Sequence, residues 1–387
     1  MSEWKRYKLS DLYEMSSGIS STKEQAGHGS PFLSFSVVFN HYFLPDNLID
    51  LMDTTDAEKQ KYSINEGDIF LTRTSETVDE LAMSSVALKD YPEASFSGFL
   101  KRLRPVDKTI VYPKFMAFYL RSPLFRRTII NNTVMTLRAS FNEAMFSYLG
   151  IMLPDFDTQK KIGDFLYSLE KKKQINNQIN QELEAMAKTL YDYWFVQFDF
   201  PDQNGKPYKS SGGKMVYNPE LKREIPEGWG VEKLSHFLTI KNGKDHKHLQ
   251  DGKFAVYGSG GIIRMVTDYL YSGESILFPR KGTLNNVMYV NEKFWTVDTM
   301  FYSEVNKNNS ALYVFYSVKN IDFNKLNTGT GVPSMTSSIL YDLNIIVPEE
   351  NILEKFNTIV KQNYETIKLN SIQNQELTQL RDWLLPM

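Results

Sequence analysis

The residues of this 387-residue chain whose types and spacing suit chemistry are of a binding kind. Arg280, Lys281, Thr283, Asn285 and Asn286 crowd one short stretch, and Thr328-Gly329-Thr330-Gly331 with Ser334 follows as a glycine-rich segment. In the major groove Arg pairs with guanine edges and Asn or Gln with adenine edges. Backbone N–H groups of a glycine-rich loop can meet phosphate. In the first half of the chain Arg73, Thr74 and Ser75 hold equivalent places, as do Arg138 and Ser140 at an offset of 194 residues. Any one of these residues could equally be a solvated turn residue; the clusters say more than their members.

Catalytic chemistry finds less support. Pro154-Asp155 followed by Glu170-Lys171-Lys172 matches the bare P-D…(D/E)-x-K arrangement that holds a divalent metal beside a scissile phosphate. Glu170 and Lys172 stand two positions apart in a helical stretch and so face different ways. Asp245, His246 and His248 lie in a polar run without Cys or a helix-spaced third ligand, which suits a loop better than a metal site. Gly258-Ser259-Gly260-Gly261 lacks the GK(S/T) end of a phosphate loop and reads as a tight turn between strands. No Pro-Pro dipeptide is present, whereas adenine methylation expects one after an Asn or Asp. The chain has no Cys, hence no thiolate chemistry or disulfide framework. These absences lead us to expect a non-catalytic chain without metal or cofactor.

Composition bounds the rest. An apolar share of 42%, with 13% aromatic residues, supplies cores for two or three domains. No apolar run approaches membrane-spanning length, and no apolar stretch follows the basic residues near the N-terminus, so a cytoplasmic protein is expected. The net charge of −2 hides a segregation: Leu44 to Glu93 carries twelve acidic residues against four basic ones, and Ser95 to Arg138 nine basic residues against Asp107 alone. The basic block, with Lys101 and Arg102, offers a local field for phosphates. Internal pairing with the acidic block is the open alternative.

These residues need a frame, and the frame is written twice. Trp4, Lys8-Leu9-Ser10 and Gly18 match Trp229, Lys233-Leu234-Ser235 and Gly243 at an offset of 225. The offset falls to 207 at Tyr62, Ile69 and Arg73, to 197 at Phe118-Tyr119 and to 194 at Leu149, Ile151 and Pro154. Gly67–Arg73 and Gly273–Arg280 read as strands, Asn286–Val290 as the return of a hairpin, and Phe115–Arg121 as a short helix. Each half closes on a heptad pattern. Ile162, Phe165, Leu169, Ile179, Leu183, Met186, Leu190 and Tyr193 form the first seam, with Lys172 and Asn176 in its gap. Phe356, Ile359, Asn363, Thr366, Asn370, Gln373, Leu377, Leu380 and Leu384 form the second. Asn176 falls on Asn370, so an antiparallel pair in which these Asn layers meet is expected; packing of each helix on its own half is the alternative. The order is a globule (1–153), a helix (154–195), a turn-rich linker (196–228), a globule (229–347) and a helix (348–387). This predicts an α+β fold, two globular domains joined by two long antiparallel coiled-coil helices in a pseudo-two-fold internal repeat.

That order, with Tyr191-Asp192-Tyr193-Trp194-Phe195, Phe198-Asp199-Phe200-Pro201, Gly205-Lys206-Pro207-Tyr208 and Ile225-Pro226-Glu227-Gly228-Trp229, resembles the specificity subunit of type I restriction–modification systems. Tyr257-Gly258-Ser259-Gly260-Gly261, Arg280-Lys281-Gly282-Thr283 and Asp298-Thr299 add to the resemblance, which covers essentially the whole chain. It implies that each globule is a target-recognition domain reading one half of a bipartite double-stranded DNA site. It further implies that the helices act as ruler and as docking surface for two modification (methyltransferase) subunits. Adenine-N6 methylation and ATP-dependent cleavage, with S-adenosylmethionine, ATP and Mg, would then belong to the modification and restriction subunits. The first domain departs from the pattern, with Arg73-Thr74-Ser75 where the second has Arg280-Lys281-Gly282. The rival class is a scaffold that assembles partners through its helices without reading DNA.

Overall fold

The computed structural model describes residues 4–133, 139–329 and 331–385. The chain divides into two units, Met1–Asn176 with Ser371–Met387, and Asn177–Asn370, so each boundary falls inside a long helix. These helices are α1 (Phe156–Tyr191) and α2 (Glu350–Leu384).

In the first unit an antiparallel sheet runs in the order Tyr13–Ser17, Leu100–Pro105, Ile69–Thr72, Ser84–Val86. In the second, Leu238–Asn242, Met300–Val305, Tyr271–Pro279 and Met288–Thr296 repeat that order, and Asp251–Gly258 and Gly261–Val266 extend it. Each unit also joins its first strand to the strand before its long helix: Lys5–Lys8 with Gly150–Leu153, and Gly230–Lys233 with Asn344–Val347. The repeat legible in the residues is thus a repeat of topology. The short helix of the first unit starts earlier than the pattern indicates, at Pro113–Tyr119, because the proline takes the first helical turn.

Local chemistry sets the ends of α1. The Asp155 carboxylate accepts from the Thr158 amide and hydroxyl, each at 2.9 Å, and so caps the orphan N–H groups of the first turn. At the other end a single π-helical turn, Asp192–Val196, is followed by Phe198 with φ of 66°, and the chain turns away. Gly163 lets the helix approach the backbone of Phe115, where a Cβ would meet the amide nitrogen at 2.6 Å.

The two long helices pair antiparallel within each unit. Asn176 meets Asn374 and Glu170 meets Arg381 in the first; Asn180 meets Asn370 and Asn363 meets Leu183 in the second. The expected seam is corrected on one edge. Ile162, Leu169, Asn176, Leu183 and Leu190 face inward, but the other edge is Leu166, Lys173, Asn180, Ala187 and Trp194. Phe165, Ile179, Met186 and Tyr193 are exposed, as is Lys172. On α2 the same shift replaces Ile359, Thr366, Gln373 and Leu380 by Val360, Ile367, Asn374 and Arg381, whereas Phe356, Asn370, Leu377 and Leu384 keep their place. Steps of three and four fit either edge, and only the neighbouring helix decides between them. The Asn layers are corrected with it: the Asn176 amide donates to Asn374 at 3.0 Å and to Gln373 at 2.8 Å, and the Asn370 amide to Asn180 at 2.8 Å.

Segment 196–228, expected as a linker, is folded into the second unit. Met215–Asn218 and Arg223–Pro226 form a hairpin, and Phe198, Phe200, Ile225 and Trp229 join the core of that unit. Phe200 stacks on Trp229 and Tyr208, with ring centroids 4.8 and 4.7 Å apart. Asp199 is fixed by the amide and hydroxyl of Ser210, bonds that hold its carboxyl below the usual range. Of the aromatic motifs that carry the family resemblance, Tyr191, Trp194, Phe195, Phe198, Phe200 and Trp229 are therefore core, and Tyr193 stays outside it.

Candidate nucleic-acid interface

In the second unit the strand Tyr271–Pro279 is fully buried from Ser275 to Pro279, a run covered on both faces. At Arg280 the chain comes out. The Arg280 amide donates to the Thr299 carbonyl at 2.8 Å, and the Arg280 carbonyl accepts from the Met335 amide at 2.9 Å. With the backbone clamped on both sides, the exposed guanidinium lies 5.9 Å from the Phe301 ring centroid. Lys281 pairs with Ser334 in an isolated antiparallel bridge, and the Gly282 amide donates to Pro333 at 3.0 Å. Gly282 has φ of 89°, and a Cβ there would stand 3.0 Å from the Ser259 hydroxyl, so this turn requires glycine.

The members of the cluster differ in what they have left to offer. Lys281 and Thr283 are exposed. Asn286 donates to the Ser259 carbonyl at 2.8 Å and so braces the turn between Asp251–Gly258 and Gly261–Val266. Asn285 donates to Asp322 at 3.1 Å. In the glycine-rich stretch the Asn327 side chain accepts from the amides of Gly329 and Ser334, both at 2.8 Å. Those two donors close the loop on itself and do not reach outward, which corrects their expected role toward phosphate. Thr330 lies outside the described residues. Asn327, which closes its own loop two and seven residues on, was not singled out in the sequence, and the bracing of Ser259 by Asn286 depends on a partner 27 residues away.

The first unit builds the same clamp from other residues. The Arg73 amide donates to Phe99 O at 2.8 Å, and its carbonyl accepts from the Phe141 amide at 2.9 Å. Thr74 pairs with Ser140 as Lys281 pairs with Ser334. Each partner is displaced by the offset of its own segment, so Arg73 and Arg280 occupy one position of the repeat. Arg73 is exposed and makes a long hydrogen bond to Gly98 O at 3.4 Å. Ser75 donates to Glu80 at 3.4 Å and accepts from the Thr77 amide at 3.2 Å, bonds within its own loop. Phe99, 66% exposed, stands where the second unit has Thr299, and no sequence pattern singled it out. Arg138 lies outside the described residues.

The basic block is largely committed inside the first unit, and this overturns its reading as a phosphate-facing field. Lys101 and Arg102 are buried. The Lys101 ammonium contacts Glu143 and Ser17, each at 2.9 Å. Arg102 donates to Ser63 O at 2.6 Å, and burial lowers its pKa. Arg104 forks onto Asp68 at 2.8 and 2.6 Å, and this pairing raises its pKa. Arg121 donates to the carbonyls of Ser84, Val38, Phe39 and His41, and burial pulls its pKa down to about 10. Arg126 donates to Asp79 O, and Lys114 pairs with Asp164. The structure brings Arg73, Thr74 and Ser140 together in the first unit and Arg280, Lys281, Thr283 and Ser334 together in the second. It does not bring Lys101 or Arg102 to either.

The catalytic candidates resolve into structural roles. Asp155 caps α1, and Glu170 pairs with Arg381 at 3.3 Å across the helix pair, with Lys172 exposed. Among the described residues no group of three or more His, Cys, Asp or Glu is placed to hold a metal ion, and no helix is long and apolar enough to cross a membrane.

A family model described as the type I restriction modification DNA specificity domain matches residues 1–185 and 226–379. The specificity subunit of the type I restriction enzyme MjaIX from Methanocaldococcus jannaschii is 28% identical over 263 residues, which take in 61% of this chain and 59% of that relative. This match therefore spans under two thirds of the relative's length. The specificity subunit of the type I restriction enzyme HindI from Haemophilus influenzae is 24% identical over 473 residues, covering 100% of this chain and 98% of the relative. Among solved structures, the S subunit of a type I restriction–modification system from M. genitalium superposes with a TM-score of 0.66 at 14% identity, covering 99% of this chain and 95% of the other, a likeness of fold.

Proposed function

This chain belongs to the family of type I restriction–modification DNA specificity domains, and we propose that it is the DNA-reading subunit of such a system, each unit reading one half of a bipartite site through its clamped arginine. One observation carries the reading. Two exposed arginines, Arg73 and Arg280, are held at the same position of an internal repeat by the same pair of backbone hydrogen bonds. A fixed backbone and an exposed guanidinium suit bidentate pairing with a guanine edge, worth about 1–3 kcal/mol of discrimination. Lys281, Thr283, Ser334, Thr74 and Ser140 flank the two arginines.

The helices would serve as ruler and docking surface. Their pairing leaves Phe165, Ile179, Met186 and Tyr193 on α1, and Ile359, Leu369, Ile372, Leu380 and Trp383 on α2, facing outward. Such apolar side chains suit two modification subunits, which would bring adenine-N6 methyltransferase activity and S-adenosylmethionine. Restriction subunits would bring ATP- and Mg-dependent cleavage, and the assembly would work in the cytoplasm. A scaffold that ignores DNA would account for the outward apolar side chains but not for the duplicated arginine clamp.

Modified bases mapped in cells that carry this chain with its modification partners test the proposal. Arg73→Ala should relax one half-site and Arg280→Ala the other, each by a factor of about 5 to 150, the equivalent of 1–3 kcal/mol. Relaxation of the same half by both variants, or unchanged sites with both, would sink it. Inserting one heptad into both helices should lengthen the unread stretch between half-sites, and an unchanged stretch would deny the helices their role as ruler.

A further inference from the structure

At the end of α1 the second unit is closed by aromatic side chains. Phe195 lies 4.6 Å from Tyr313 and 5.0 Å from Phe356, and Trp194 lies 6.1 Å from Phe356, by ring centroids. Both residues are buried, as is Tyr191, which stacks on Tyr316 at 5.9 Å. Residues of the same core cluster, Trp229, Tyr316, Phe356 and Val360, correspond in the repeat to Trp4, Tyr119, Ile162 and Leu166.

In the first unit those four residues line an open groove of about 260 Å³, together with Phe118 and with Leu384, the counterpart of Leu190. Phe165 and Leu124 stand half-exposed at its wall, and among the described residues Lys161 is the one charged residue in its lining. Among the described residues nothing enters this groove as Trp194 and Phe195 enter the other. Such volumes are not idle: an apolar cavity of roughly 150 Å³ holds benzene. The groove of the first unit therefore has room for an aromatic ring.

We propose that this groove is a docking site for an aromatic segment of a partner protein, of the chemistry that Tyr191-Asp192-Tyr193-Trp194-Phe195 has in the second unit. The partner's rings would pack on Trp4, Tyr119 and Ile162. The repeat identifies the occupant: a wall at the same positions of the repeat, alike in its Trp and Tyr and apolar throughout, is packed in the same chain by two adjacent rings at the end of a helix. A second copy of this chain is a poor donor, because its own Trp194 and Phe195 are buried in its second unit. Nucleic acid is a poor ligand for a lining with one cation. The inference does not depend on the DNA-reading role.

A fluorescein-labelled peptide of the sequence Tyr191–Phe200, titrated with the full chain and followed by anisotropy, tests the site. We expect saturable one-to-one binding, weakened at least about tenfold by Phe165→Glu and by Leu124→Glu. Both residues are already half-exposed, so both variants should melt like the parent. Ile359→Glu, at the counterpart of Phe165 in the second unit, should leave binding unchanged, as should the addition of duplex DNA. A peptide with Ser in place of Trp194 and Phe195 should not bind. Absence of saturable binding to the parent chain, equal loss with Phe165→Glu and Ile359→Glu, or equal binding of the Ser-substituted peptide would each overturn the proposal.

Discussion

Across the same pair of strands the first unit makes an ion pair, whereas the second bonds two serine hydroxyls to backbone amides. Arg104 forks onto Asp68. At the corresponding positions of the second unit stand Glu304 and Ser275; there Ser275 accepts from the Ser303 amide at 3.0 Å, and Ser303 accepts from the Ile276 amide at 2.8 Å. The strand order is the same in both, so the sheet does not depend on either solution. The tips show the same thing. Arg73 and Arg280 share their backbone partners, while Phe99 stands opposite Thr299 and Ser75 opposite Gly282. What the two units hold in common is a set of backbone hydrogen bonds and buried strand residues; what fills the frame is free to diverge. Under the proposed reading of two different half-sites, such a division would let the contacts change without moving the arm that carries them.

The comparison can be broken most severely at the aromatic closure, which among the described residues the second unit has and the first has not. Phe195→Ala should open there the kind of groove that the first unit shows, and should cost about 3–5 kcal/mol, read by denaturant unfolding of the full chain. A loss under about 1 kcal/mol would mean that the closure is not a structural element of that unit. Next in size is the ion pair. Asp68→Ala leaves the Arg104 guanidinium without its carboxylate and should cost about 3 kcal/mol, whereas Ser275→Ala, removing one hydroxyl bond, should cost about 1 kcal/mol. Equal losses would show that the two solutions are not alternatives of unequal weight. The smallest effect is expected where the units agree, in the Asn layers. Asn176→Leu removes the donor to Asn374 and Gln373 and should lower stability by about 1 kcal/mol, while Asn176→Leu with Asn374→Leu should restore or exceed the parent's melting temperature. Asn176→Leu with Asn370→Leu should melt lower than the parent, because these two side chains are not each other's partners. A higher melting temperature for that pair would put the layers back where the heptads alone suggest.

Local and repeated features were readable without coordinates. The offsets placed Arg73 opposite Arg280, because homologous strands keep their residue spacing even where loops between them shorten. One edge of each heptad seam was also readable, through Ile162, Leu169 and Leu183. The other edge was not, because Phe165, Ile179 and Met186 offer an apolar stripe as good as Leu166 and Ala187, and a helix alone has no means of choosing between them. Periodicity measures amphipathicity; which stripe is covered depends on the partner's side chains. The segment 196–228 reads as a linker because turn residues dominate its middle, yet its aromatic ends hold it in a core.

Charge shows the limit most plainly. Nine basic residues in one stretch of sequence suggest a field for phosphate, but Lys101, Arg102, Arg104 and Arg121 spend their donors on Glu143, Ser63, Asp68 and a ring of carbonyls. A side chain that reaches several ångströms finds partners far along the chain, and those exist only once the chain has folded. The sequence by itself determined the duplicated α+β frame, the two long helices and the positions of the two tip arginines, because strand alternation, helical period and repeat spacing are properties of neighbouring residues. Tertiary structure alone decided which helix edge is covered, which Asn meets which and which cations remain outside, because each of those depends on atoms that sequence keeps apart and folding brings within hydrogen-bond distance.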